Sequence, residues 1–140
     1  SKAYGLAGMR IGYSVSSAEI ADLLNRVRQP FNTNLMALSA AEVSLADSEY
    51  LNETIALNQQ GMVQLTNAFT ALGLSWIPSK GNFITVNLGR SAMTIYEDLL
   101  KAGVIVRPIA NYGLPNFLRI SIGTESENTF FIDALINVLD

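Results

Sequence analysis

The spacing of apolar and polar positions changes along this chain, and each change marks an element. Met9-Arg10-Ile11-Gly12-Tyr13-Ser14-Val15 alternates with a period of two, which predicts a short strand over residues 9–15. Ser16-x-x-Glu19 then reads as a capping box, and Ile20, Leu23, Leu24 and Val27 recur at helical spacing, predicting a helix that buries this stripe and is ended by Pro30. Gln29-Pro30-Phe31-Asn32-Thr33-Asn34 is a polar, turn-rich connector and the first domain boundary. From Leu35 to Leu72 the pattern is helical throughout, with a break at Asp47-Ser48. Leu51, Ile55, Met62, Leu65, Phe69 and Leu72 fall on helical spacings, and Gly73 supplies the stop.

After Gly73 the periods alternate. Leu74 to Ile77 and Phe83 to Leu88 read as strands joined in hairpin fashion through Pro78-Ser79-Lys80-Gly81-Asn82. A helix over 92–101 stops at Gly103, a strand covers Val104 to Arg107, and Pro108 to Asn116 is a loop rich in Gly, Pro and Asn. Phe117 to Ile122 is the last strand. Thr124-x-x-Glu127 is a second capping box, opening a helix whose buried face carries Phe131, Ala134, Leu135 and Val138. The expected fold class is α/β, with about four strands and helices against one face. The expected division is 1–34, a long helical segment 35–73, and a small α/β domain 74–140. No internal repeat or low-complexity segment interrupts it.

Composition narrows the chemistry. With 49% hydrophobic and 15% charged residues, the 140-residue chain has material for a real core. Nine Lys and Arg against twelve Asp and Glu leave a net charge of -3, which argues against a nucleic-acid partner. Cysteine and histidine are both absent. That excludes disulfides, Ser-His and Cys-His nucleophile pairs and the usual zinc ligand sets, and it suits a cytoplasmic protein. Chemistry must run on Lys, Arg, Tyr, Asp, Glu or a cofactor. No run of apolar residues long enough to span a membrane is visible, nor a secretion signal.

Candidate chemistry gathers in two places. In Ser1-Lys2-Ala3-Tyr4-Gly5-Leu6-Ala7-Gly8-Met9-Arg10-Ile11-Gly12-Tyr13, the Lys2 amine can condense with an aldehyde cofactor, while Arg10 and the glycine-rich backbone can hold its phosphate. Either side chain read alone would be an ordinary solvated cation. Tyr4 and Tyr13 are assigned to the core. In Phe117-Leu118-Arg119-Ile120-Ser121-Ile122, Arg119 interrupts an apolar strand and needs an anion, either an internal carboxylate or a ligand. Arg107 ends another apolar strand, where a rim ion pair and a substrate contact are equal readings. Asn82 and Asn32 are turn residues or binding residues.

The Lys2 run resembles the lysine segment of fold-type I aminotransferases. Lys2 and Arg10 fall on that family's cofactor lysine and phosphate-binding arginine, Ser1 on a frequent phosphate hydroxyl, and Arg119 on the arginine that takes the substrate α-carboxylate. Asn82 and Asn32 fall where the family's chain passes the active-site mouth. Arg26-Val27-Arg28-Gln29-Pro30-Phe31-Asn32-Thr33-Asn34 and Tyr112-Gly113-Leu114-Pro115 narrow the resemblance to the histidinol-phosphate aminotransferases. By that resemblance the chain is the C-terminal part of a fold-type I enzyme dependent on pyridoxal 5'-phosphate. Residues 1–34 are then a remnant of the large cofactor domain and 35–73 the connection to the small one. The implied whole is a cytoplasmic homodimer of histidine biosynthesis that exchanges an amino group between glutamate and imidazole-acetol phosphate. An aromatic aminotransferase or a threonine-phosphate decarboxylase would share the general motifs. A non-catalytic structural piece is the remaining alternative.

Overall fold

The computed structural model describes residues 1–139, and these form two compact units, 1–55 and 56–139. The first is helical. It contains α1 (Ala18–Val27), α2 (Leu35–Ala46) and the opening turns of α3 (Ser48–Ala71). Side-chain caps set these starts: Ser17 accepts from the Ile20 amide, Asn34 from the Ala37 amide at 2.8 Å, and Asp47 from the Tyr50 amide at 3.0 Å. The predicted break at Asp47-Ser48 is thus a cap between two helices. For α1 the cap is Ser17 rather than Ser16, and the helix ends at Val27, before Pro30 is reached.

Further expectations fail in this unit. Residues 9–15 form no strand, because Ala7–Met9 is a 3-10 turn and Arg10 follows it in the left-handed region at φ 56° and ψ 44°, which breaks the extended run. Strand-like alternation also needs a neighbouring edge, and the sheet found among the described residues lies within 75–121. The α1 stripe of Ile20, Leu23, Leu24 and Val27 is at least half exposed, and Tyr13 is exposed as well. Helical periodicity specifies a face that seeks cover and does not itself provide the cover.

The second unit carries the core. Strands β1 (Ser75–Ile77), β2 (Phe83–Asn87), β3 (Arg107–Ile109) and β4 (Leu114–Ser121) form one antiparallel sheet in the order β1-β2-β4-β3. Period-two alternation decides its faces. Ile84, Val86, Leu118 and Ile120 point to one side, where they pack with Leu65 and Phe69 of α3, Ile95 and Leu99 of α4 (Ala92–Lys101), and Phe131 and Leu135 of α5 (Glu125–Leu139). The Phe69 ring meets Trp76 at 6.1 Å and Phe131 edge-on at 6.4 Å. All three helices contribute to this one face, and the other face is left to Ile77, Phe83, Thr85, Arg107 and Arg119.

Helix α3 closes as predicted. Gly73, at φ +67°, donates to Thr70 O while Leu74 donates to Phe69 O at 2.8 Å, the bond pair that ends helices on a left-handed glycine. The same two bonds close α4, from Gly103 to Leu100 O and from Val104 to Leu99 O. Strand β3, however, starts only at Arg107. Val104 and Val106 are buried outside the ladder, where they pack as core without pairing. The segment 108–116, expected as loop, contains the end of β3, a 3-10 turn at Ala110–Tyr112 and the start of β4. Pro115 is tolerated because the β2–β4 register runs only from Phe117 to Ser121, so β2 never asks for its missing amide.

One polar network joins α3 to the turn after β4. Buried Asn128 accepts from the Gly123 amide at 3.0 Å and donates to Gly123 O at 3.2 Å and to Gln64 Oε1 at 3.1 Å. Gln64 in turn donates to Thr129 Oγ1 at 2.9 Å and to Glu125 O at 3.1 Å. Among the described residues no buried side-chain polar atom lacks a partner.

Candidate functional site

The N-terminal loop folds back on itself. The Ser1 hydroxyl donates to Ile11 O at 2.6 Å, which brings the first residue beside the neighbour of Arg10, and the Gly5 amide donates to Lys2 O at 3.0 Å. Position 5 favours glycine: its φ is +66°, and a Cβ there would sit 2.7 Å from the Tyr50 hydroxyl, which would have to move. Arg10 donates from Nη1 to Ala7 O at 3.1 Å and holds a left-handed backbone, a conformation that costs a non-glycine residue on the order of 1–2 kcal/mol. The Lys2 side chain is exposed, and no Asp or Glu occurs before Glu19. An amine, a hydroxyl and a guanidinium thus share one loop without a carboxylate, a donor set that fits an aldehyde bearing a phosphate.

Asn32 is exposed in the connector, where its Oδ1 accepts from Arg28 Nη1 at 3.4 Å. The preceding Phe31 is left-handed, at φ 54°, and 97% exposed. The connector residue that sequence reasoning passed over is Asn34, the cap of α2. Its signal was present, as an Asn directly before a helical run.

In the second unit the register brings together two residues that lie 12 positions apart in sequence. Arg107 on β3 stands directly opposite Arg119 on β4, and Arg119 stands opposite Thr85 on β2. Like charges facing each other across a ladder are unfavourable unless something negative offsets them. Among the described residues the ion pairs are Arg26 with Asp22 and Lys101 with Asp98, so neither facing guanidinium has a carboxylate partner. Arg119 is half-buried, and its guanidinium lies 5.2 Å from the centre of the Phe83 ring. Asn82 is exposed at the start of β2, where its carbonyl accepts from the Ile122 amide at 2.9 Å. That bond is made by backbone atoms alone. Arg107 and Arg119 thus place two positive charges side by side on one face of the sheet, with no carboxylate partner among the described residues.

The family Aminotransferase class I and II matches residues 1–135. The chain belongs to the class I and II aminotransferases. It is 60% identical over 99% of its length to histidinol-phosphate aminotransferase 2 of Pseudomonas fluorescens, and equally similar over the same share to that of Pasteurella multocida. In both cases it spans only 38% of the relative's own length. A solved structure of histidinol-phosphate aminotransferase from Sinorhizobium meliloti, in complex with pyridoxal-5'-phosphate, is similar with a TM-score of 0.89 and 32% identity. The likeness covers 99% of this aminotransferase chain and 39% of that one. The expected fold class stands, with the sheet antiparallel throughout. No helix among the described residues is long and apolar enough to cross a membrane.

Proposed function

We propose that the chain is the C-terminal part of a histidinol-phosphate aminotransferase, acting with pyridoxal 5'-phosphate as a cytoplasmic homodimer in histidine biosynthesis. The observation that carries this reading is the 60% identity over 99% of the chain to enzymes of that name. Residues 1–34 then belong to the large cofactor domain, 35–73 to the helical connection and 74–140 to the small domain. The exposed apolar stripe of α1 supports this division, since such a face is normally covered in the complete molecule.

Each side chain has a role its chemistry suits. Lys2 would hold the cofactor aldehyde through its amine, and the same amine would serve as base for the substrate's α-proton. Arg10 and the Ser1 hydroxyl hold the phosphate, Arg10 through bidentate charge-assisted bonds. Bound there, pyridoxal 5'-phosphate supplies a ring that stores the electron pair left when the α-proton departs. Arg119 takes the α-carboxylate of the amino donor, and Arg107 adds positive charge beside it. Asn82 and Asn32 offer neutral amides to polar substrate groups. The amino group passes from glutamate to imidazole-acetol phosphate, or in reverse.

Two experiments test this. The complete enzyme should convert histidinol phosphate and 2-oxoglutarate, and absence of turnover with this pair would remove the substrate assignment. Borohydride reduction in the presence of the cofactor, followed by peptide mass spectrometry, should label Lys2 in preference to Lys80 and Lys101, the other lysines of the chain. Equal labelling of all three would remove Lys2 from its role.

A further inference from the structure

Phe83 is a large apolar residue that takes no part in the core. It stands on the helix-free face of the sheet and remains 37% exposed, while its neighbours Ile84 and Val86 are fully buried in the core. In the antiparallel register Phe83 pairs with Ser121 and lies diagonal to Arg119, within reach of a long side chain on the same face. The Arg119 guanidinium occupies that space, 5.2 Å from the ring centre.

The ring has its own support. A Cβ on Gly81 would come within 3.2 Å of Phe83 Cε1 and 3.4 Å of Cδ1, so a side chain there would press on the ring and push it aside by a few tenths of an ångström. The Gly81 loop is pinned at three points. Gly81 N donates to Ser79 Oγ at 3.1 Å, Asn58 Nδ2 donates to Gly81 O at 3.3 Å, and Ile122 N donates to Asn82 O at 2.9 Å. Arg119, by contrast, has no carboxylate among the described residues to hold it and faces the positive Arg107. Without the ring, repulsion from Arg107 and the side chain's own rotamer freedom would scatter the guanidinium.

We propose that Phe83, backed by Gly81, is a positioning residue for anion recognition: its ring face orients the Arg119 guanidinium so that the in-plane donors stay free for a carboxylate. This deepens the aminotransferase reading and rests on it for the identity of the ligand. A cation against a ring face keeps its N–H edges available, whereas an ion pair within the protein would consume them.

In the complete enzyme, Phe83→Leu should raise KM for glutamate about 3- to 10-fold with kcat changed less than about twofold, the range expected from losing an exposed cation–π contact and some preorganisation. Phe83→Tyr should restore the wild-type value. Gly81→Ala, which keeps the ring and displaces it, should shift KM in the same direction as Phe83→Leu. In the 140-residue chain, NMR of the Arg119 side chain should show an Nε–H resonance that moves in Phe83→Leu and returns in Phe83→Tyr. An unchanged KM in Phe83→Leu and Gly81→Ala, or an Arg119 resonance indifferent to the ring, overturns the proposal. If the wild-type enzyme transaminates no amino acid, the functional reading fails by itself. The Arg119 resonance, followed during titration of the chain with glutamate, then still decides whether the ring orients the guanidinium.

Discussion

Replacing Gly61 by alanine sets two effects of opposite sign against each other. Gly61 lies buried inside α3, where helix propensity alone favours alanine by about 1 kcal/mol. The structure opposes it. A Cβ at this position would lie 2.5 Å from Ile122 Cγ2, 2.8 Å from Asn128 Nδ2 and 3.3 Å from Gly123 O. None of these atoms is the loose end of a flexible side chain. Ile122 is β-branched and stiff, Asn128 Nδ2 is held by bonds to Gln64 and Gly123, and the third atom is backbone. Overpacking of this kind costs roughly 1–3 kcal/mol, and a double contact with pinned atoms belongs in the upper half of that range. The net expectation is a destabilisation of about 1–2 kcal/mol. Urea unfolding followed by circular dichroism should show a lower midpoint at unchanged slope. A Gly61→Ala chain as stable as the parent, or more stable, would refute the argument, since propensity would then have won. Adding Ile122→Ala should recover part of the loss, with a coupling of at least about 0.5 kcal/mol, and zero coupling would mean that the helix and the strand end do not touch.

Asn128→Ala removes three hydrogen bonds and strands the Gly123 amide and carbonyl, so a loss of about 2–4 kcal/mol is expected in the same unfolding assay. A loss below about 0.5 kcal/mol would show that water replaces the side chain. Glu127 is held below its ordinary pKa, chiefly by the hydrogen bond from the Thr124 amide and then by that from the Thr124 hydroxyl. Its stabilisation is therefore complete above the unfolded glutamate pKa and is lost as pH falls through the lower folded value. Glu127→Gln should accordingly flatten that part of the acid limb of a stability–pH curve, and an identical limb in the variant would assign it to other groups. Arg119→Lys should weaken binding of an amino-acid carboxylate to the complete enzyme by about 10- to 100-fold, because one ammonium cannot reproduce a bidentate fork. Isothermal titration with glutamate reads this directly, and equal affinities would exclude Arg119 from carboxylate binding.

Much of the local structure was legible in the sequence because its causes lie within a few residues of one another. The capping box at Thr124 and Glu127, the stop at Gly73 and the interruption at Asp47 are each written in four to six consecutive residues. The strands at 75–77 and 83–87 followed from period two and a turn-rich link. Errors arose where a pattern was local and its outcome was not. Residues 9–15 alternate like a strand, yet a left-handed Arg10 and the lack of a partner edge leave them unpaired. Val104 and Val106 look like strand residues and are buried, yet the ladder begins one residue later at Arg107.

The candidate site divides in the same way. The amine, hydroxyl and guanidinium of Ser1, Lys2 and Arg10 could be read directly because they lie on one short loop, and Arg119 stood out as a charge in an apolar strand. That Arg107 faces Arg119, that Phe83 lies beneath it, and that Gly61 and Asn128 lock the turn after β4 could not be read. Residue types and periodicities specify elements and the faces that seek burial. Which residues then meet across those faces depends on strand register and helix docking over separations of 12 to more than 60 positions, where local pattern carries no information and only the closing of the sheet and core selects the partners.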